Sequence, residues 1–101
     1  MHLHHVKLLR IVAEKRLTAD VVRLLTQAGI RGYTILDATG FGAHGERPGG
    51  SDDTANVVIE AVAAEGKAEV ALHHIHEQLF GKSGLIAYLV DAQVMRREKF
   101  Q

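Results

Sequence analysis

The 101-residue sequence contains no cysteine and no tryptophan, and it has a single proline. Without cysteine the chain has no disulfides, no thiolate metal ligands and no cysteine nucleophile, which suits a reducing compartment. Neither sign of charge is in excess, because 12 Lys and Arg balance 12 Asp and Glu. This balance provides no electrostatic basis for binding nucleic acid or an anionic membrane surface.

Long apolar runs are also missing. None reaches the roughly 18–20 residues that cross a bilayer. The first residues, Met1-His2-Leu3-His4-His5, lack the basic and apolar regions of a secretion signal. We therefore expect a cytoplasmic protein without membrane insertion. Hydrophobic residues make up 47% of the chain, enough for one packed core, so a single domain is expected over residues 1–101.

The apolar pattern predicts four strands and two helices in the order β-α-β-β-α-β. The predicted strands are Val6–Glu14, Tyr33–Thr39, Asn56–Ala63 and Leu85–Met95. The first helix is predicted to begin at Thr18, as the N-cap, and to end at Gly29, as a C-cap glycine. The second helix is predicted to follow Glu65-Gly66. This order predicts a ferredoxin-like α+β fold, an antiparallel sheet with two helices on one face.

The last predicted strand is apolar on both faces. One face carries Ile86, Tyr88, Val90, Ala92 and Val94, and the other carries Leu85, Ala87, Leu89 and Met95. A sheet with one solvated face should alternate apolar and polar residues, and two helices can cover one face only. Other subunits are the simplest cover for the second face, and the alternative is a sheet whose outer face is merely apolar.

A glycine-rich segment, Gly40–Asp53, contains five glycines and the only proline. Loops of this length within compact domains are usually functional. Gly40–Gly45 has the formal pattern G-x-G-x-x-G, but Pro48 and the glycines after it prevent the helix that a dinucleotide-binding turn requires. A phosphate cradle of backbone N–H groups and a mobile loop without ligand both remain open.

The segment Ala28–Thr34, followed after five residues by Gly40-Phe41-Gly42, resembles the P-II signal-transduction family. In that family G-x-x-G-x-T leads to G-F-G at the base of a long T-loop, here about residues 42–54. The stretch Gly84–Tyr88, with Arg96 after it, is most similar to the P-II-like branch associated with carboxysomes and bicarbonate transport. The T-loop here holds no tyrosine, so we expect no uridylylation; Tyr33 and Tyr88 are predicted to lie within strands.

This resemblance implies a homotrimeric, non-enzymatic regulator that binds an adenine nucleotide (ADP, AMP or ATP) at subunit junctions. Bicarbonate is a further implied ligand. The implied partner, contacted through the T-loop, is a transporter or another carbon-acquisition protein. The implied nucleotide-binding residues are Gly32, Tyr33, Thr34, Gly40, Phe41, Gly42, Arg47, Glu60, Val62, Gly84, Leu85, Ile86 and Arg96. Among them Arg47 and Arg96 suit phosphate, because a guanidinium group can donate two parallel hydrogen bonds.

Two other functions remain as alternatives. One is a slow nucleotide phosphohydrolase, although no residue is a convincing general base. The other is a structural or metal-binding trimer, because His73, His76 and Glu77 can share one face of the second helix. We favour a solvated polar face for these three residues and expect no metal site.

Overall fold

The structure of the chain is a computed structural model, and it describes residues 1–42, 45–46, 55–81 and 84–95. Its elements are β1 His4–Glu14, a 3-10 turn Lys15–Leu17, α1 Thr18–Gln27, β2 Thr34–Ala38, β3 Phe41–Gly42, β4 Gly45–Glu46, β5 Asn56–Ala63, α2 Glu65–Leu79 and β6 Ile86–Val94. The predicted order of four long strands and two helices is confirmed. The strand β5 has the predicted bounds, whereas β2 and β6 are each one residue shorter at both ends. The helix α2 begins at Glu65 and so includes Glu65 and Gly66, which were predicted to precede it.

The four long strands form one antiparallel sheet in the order β2-β5-β1-β6. The sheet is ferredoxin-like, with β2 and β6 at its edges. The pleat directs alternate side chains to opposite faces. Leu9, Ile11, Val57 and Ile59 therefore share one face, where each is at most 1% exposed.

Both helices pack on this first face and close the core. Their apolar positions are buried against the strands, among them Leu24, Leu25 and Ile75. Buried apolar residues recur every three to four positions along each helix, so each helix has a single buried stripe. No helix within the described ranges is both long and apolar enough to cross a membrane.

The start of α1 differs from the predicted N-cap. Thr18 is the first helical residue, with φ −55° and ψ −49°, and its Oγ1 donates to the Lys15 carbonyl at 2.6 Å. An N-cap residue needs non-helical backbone angles so that its side chain can accept from the first free N–H groups. Thr18 cannot do so, because β1 passes directly into the 3-10 turn and the chain is already helical there.

The end of α1 matches the prediction. Gly29 has φ +84°, its N–H donates to the Thr26 carbonyl at 3.0 Å, and the Ile30 N–H donates to the Leu25 carbonyl at 2.9 Å. This pair of bonds is a Schellman motif, which requires left-handed backbone that glycine adopts without a Cβ penalty. The motif buries Ile30 and directs the chain toward β2.

Two further predictions need correction at the base of the T-loop. Tyr33 lies before β2, not within it, and is 42% exposed, because the ladder with β5 begins only at the Thr34–Glu60 pair. The segment expected to be loop from Gly40 onward begins with a short antiparallel pairing, Phe41 with Glu46 and Gly42 with Gly45. The rest of the T-loop, residues 43–44 and 47–54, lies outside the described residues.

Candidate functional site

One group of predicted site residues lies at the edge strand β2. Gly32 and Tyr33 precede this strand, Thr34 begins it, and Glu60 is the β5 partner of Thr34. A Cβ placed on Gly32 would meet no atom within 4 Å among residues 1–42, 45–46, 55–81 and 84–95. The backbone beside Thr34 and Glu60 therefore borders open space, as a ligand that approaches the main chain requires.

A second group lies beyond the other end of β2. Gly40 leads into the β3–β4 pairing, which contains Phe41 and Gly42. A Cβ on Gly40 also meets no atom of the described residues within 4 Å, so this backbone is open on that side as well. The two groups are separated by the five residues of β2, a distance of about 17 Å along an extended strand.

A third group lies at the start of β6, on the opposite edge of the sheet. Gly84 and Leu85 precede the strand and Ile86 begins it. The Leu85 side chain is 6% exposed and belongs to the core, so only its backbone can face a ligand. The Ile86 side chain, at 51% exposed, lies on the sheet face that the helices leave open.

This open face has two apolar rows that run across the strands. Cross-strand register aligns the first row as Leu36, Val58, Val12 and Ile86, and the second as Val62, Leu8 and Val90. Leu36 is 50% exposed and Val90 41%. The second apolar face predicted from the last strand is thus present, and it continues over all four strands of the sheet.

A polar row separates the two apolar ones. It contains the two predicted residues Thr34 and Glu60 and two that sequence reasoning missed, Arg10 and Tyr88. Arg10 Nη2 lies 2.5 Å from Glu60 Oε2, and Arg10 Nη1 donates to the Tyr88 hydroxyl at 3.1 Å. The hydrogen bond with Tyr88 raises the pKa of Arg10 above its ordinary value, and the hydrogen bond with Glu60 is the second cause in size.

A sequence signal for Arg10 did exist. It stands between Leu9 and Ile11 in an apolar strand, and alternation assigns it to the face opposite theirs. Glu60 stands in the same way between Ile59 and Ala61. A basic and an acidic residue, each central in its own apolar strand, indicate a cross-strand pair once the two strands are known to be neighbours.

Three predicted site residues remain: Val62, Arg47 and Arg96. Val62 lies on the open face in β5, two residues after Glu60. Arg47 and Arg96 lie outside the described residues. Within one chain, the β2 edge and the β6 edge are separated by three strand spacings, about 14 Å.

The histidines of α2 are engaged in local contacts. His73 Nε2 lies 2.7 Å from Glu77 Oε1, and the His76 ring lies 4.9 Å from the Phe80 ring, centroid to centroid. Across residues 1–42, 45–46, 55–81 and 84–95, no group of three His, Cys, Asp or Glu side chains is arranged to hold a metal ion.

Comparisons with known proteins agree on one family. The model of the family described as nitrogen regulatory protein P-II matches residues 6–99. A PII-like signalling protein from Thermus thermophilus is 34% identical over 100% of both chains, with a TM-score of 0.86. CPII, a nitrogen regulatory PII-like protein from Thiomonas intermedia solved with ADP, AMP and bicarbonate, is 30% identical over 98% of this chain and 96% of its own, with a TM-score of 0.88. The apo form of CPII is 26% identical, with coverages of 92% and 95% and a TM-score of 0.74.

Proposed function

The chain belongs to the P-II family, and on that premise we propose that it binds an adenine nucleotide together with bicarbonate and thereby regulates a protein partner. The proposal is carried by one observation: Thr34 and Glu60 are paired beside the open backbone at Gly32. In the same fold CPII binds ADP, AMP and bicarbonate. Thr34 and Glu60 supply hydroxyl and carboxylate groups for a nucleoside, and exposed glycine backbone supplies N–H groups for phosphates.

The binding unit in this proposal is a homotrimer. The apolar rows of the open face, with Leu36 50% and Ile86 51% exposed, are the surface that neighbouring copies cover. Covering this face brings the β2 edge of one subunit toward residues of another. A site assembled from both edges of the sheet then forms at each junction, with Arg47 and Arg96 as the phosphate partners.

The regulatory step we propose is ordering of the T-loop, about residues 42–54. Nucleotide phosphates and bicarbonate favour one loop conformation, and the partner binds that conformation with a different affinity. The partner in this proposal is a bicarbonate transporter or another carbon-acquisition protein, approached from the cytoplasm. The protein acts by binding, so incubation with ATP is expected to release no more ADP or phosphate than a buffer control.

Titration calorimetry tests the binding proposal directly. We expect heat of binding with at least one of ADP, AMP and ATP, and a change in apparent affinity when bicarbonate is added. Light scattering on the same sample should report about three times the mass of one chain. Absence of binding heat with all three nucleotides and with cyclic AMP at millimolar concentration would contradict the proposal.

Matched glycine variants locate the site. Gly32→Val adds a side chain where the free chain has room, so it should preserve the fold but obstruct a ligand that approaches this backbone. Gly66→Val is the control, because a Cβ on Gly66 in α2 also meets no atom within 4 Å in the part of the chain that the structure describes. We expect a loss of ADP affinity of about tenfold or more for Gly32→Val, and none for Gly66→Val. Equal affinities in the two variants would place the ligand elsewhere.

The phosphate role of Arg96 has its own test. Arg96→Ala removes a charge-assisted hydrogen bond worth roughly 1.5–3 kcal/mol, which corresponds to about a 10- to 150-fold loss of affinity. Gly42→Val should weaken binding too, with the assembly intact. If Arg96→Ala binds ADP as the wild type does, the assignment of Arg96 is wrong while the nucleotide proposal stands.

A further inference from the structure

The polar row on the open face contains one residue from each strand of the sheet. Thr34 is the register partner of Glu60, Glu60 that of Arg10, and Arg10 that of Tyr88. Apolar rows flank it on both sides, so an ion pair occupies the centre of the surface that faces away from the helices. A solvated ion pair usually lies among polar neighbours, whereas this pair lies among apolar residues. Its hydrogen bonds are therefore electrostatically stronger than they would be in water.

The hydrogen bonds around Arg10 are directed to particular atoms. Nε donates to Glu60 Oε2 at 2.6 Å, and Nη2 lies 2.5 Å from the same oxygen. On its other side Nη1 donates to the Tyr88 hydroxyl at 3.1 Å, and the guanidinium carbon lies 5.8 Å from the centre of the Tyr88 ring. The guanidinium is therefore held from both sides, and it in turn holds one oxygen of the carboxylate.

The second carboxylate oxygen, Glu60 Oε1, has no hydrogen-bond partner among the residues that the structure describes. An ionised carboxylate is an acceptor at both oxygens, so Oε1 suits a donor from a ligand. Thr34, the cross-strand neighbour of Glu60, lies on the side away from Arg10. Arg10 thus fixes the orientation in which Glu60 presents Oε1 beside the candidate site.

We infer that Arg10 is a positioning residue of the nucleotide site: it holds Glu60 Oε2 so that Oε1 accepts a hydrogen bond from the nucleoside, and Tyr88 holds Arg10 in place. This inference rests on the proposed function. The donor is either the exocyclic amino group of the base or a sugar hydroxyl, since both offer a hydrogen to a carboxylate. Arg10 itself makes no contact with the ligand.

Calorimetry with ADP on four variants separates this role from general stabilisation. Arg10→Met keeps an unbranched apolar stem and removes the guanidinium donors, and we expect about a tenfold loss of ADP affinity. Arg10→Lys restores the charge without the forked geometry and should recover part of that loss. Tyr88→Phe should lose about twofold to threefold. Lys7→Met is the control on the same strand, because it removes the Lys7–Asp91 pair and should leave ADP affinity unchanged.

Nucleotide analogues supply the readout that a merely structural role would not change. Purine riboside diphosphate lacks only the amino group, and 2′-deoxy-ADP and 3′-deoxy-ADP each lack one sugar hydroxyl. Wild-type protein should bind one of these more weakly than ADP, which identifies the donor. In Arg10→Met that preference should disappear, because Glu60 no longer presents a fixed acceptor.

Each outcome has a definite reading. An equal loss for ADP and all three analogues in Arg10→Met overturns positioning in favour of general stabilisation, and unchanged ADP affinity overturns the inference outright. If Arg10→Met does not assemble as the wild type does, Tyr88→Phe, which removes a single hydroxyl, is judged by the same analogue preference. A wild type that binds no nucleotide refutes the proposed function itself, and the inference falls with it.

Discussion

The two faces of the sheet contrast sharply although they come from the same four strands. On the helix-covered face Leu9, Ile11 and Ile59 are at most 1% exposed. On the open face Leu36 and Ile86 are about half exposed, and an Arg–Glu pair lies between the apolar rows. The covered face closes the subunit, and the open face supplies surface and polar groups for whatever binds there. Four experiments test this contrast.

The largest effect is expected from neighbouring leucines of β1. Leu9→Ala leaves a cavity on the covered face and should lower the free energy of unfolding by about 2–5 kcal/mol. Leu8→Ala alters the open face, where the residue is only half-buried within the chain. We expect urea titration to show a large loss of unfolding free energy for Leu9→Ala at every protein concentration. The loss for Leu8→Ala should be smaller and should depend on concentration, since it weakens assembly. Equal, concentration-independent losses would contradict the division between the faces.

A second experiment compares valines of similar exposure. Val90 on the open face is 41% exposed, and Val70 on α2 is 46% exposed. Val90→Glu introduces a carboxylate at the surface that neighbouring copies cover, so it should weaken association by about tenfold or more. Val70→Glu should leave the mass unchanged in light scattering. Loss of assembly in Val70→Glu alone would mean that copies associate through the helices.

A third experiment uses two glycines of the helix layer with opposite expected signs. Gly29→Ala places a Cβ in left-handed backbone, 3.4 Å from Lys67 Cε, and should cost about 1–2 kcal/mol. Gly66→Ala fills open space within α2 and should stabilise by roughly 0.5–1 kcal/mol. Thermal unfolding measures both. Because both glycines lie in the helix layer, neither variant should alter ADP affinity. A change in affinity would indicate that the helix layer is energetically coupled to the nucleotide site.

The smallest effect is expected from the ion pair between Lys7 and Asp91, at the exposed end of the covered face. Hydrogen bonding to Lys7 lowers the pKa of Asp91, and the same bond raises the pKa of Lys7. The contribution of the pair is therefore present above about pH 4, the ordinary carboxyl pKa, and is lost as the pH falls through the lowered pKa of Asp91. It is lost again as the pH rises above about 10.4 through the raised pKa of Lys7. The wild type and Asp91→Asn should differ slightly in urea midpoint at neutral pH and converge at both extremes; a constant difference would assign it to another cause.

The sequence predicted the fold more closely than the site. Alternation in β5 gave its bounds, and Gly29 marked the end of α1, because both signals depend on neighbouring residues only. The local signal at Thr18 misled, since the 3-10 turn had already made its backbone helical. Among the site residues, Thr34 and Glu60 are brought together, while Leu85 is turned into the core and Arg10 was missed.

The sequence by itself determined the order of the elements, the glycine-rich segment after β2 and the existence of a second apolar face. These follow from periodicity and turn chemistry, which are read along the chain. Only the tertiary structure decided that Arg10 lies between Glu60 and Tyr88. The three residues come from strands far apart in sequence, and their contact depends on strand order and register. Both are set by how the whole sheet packs against its helices.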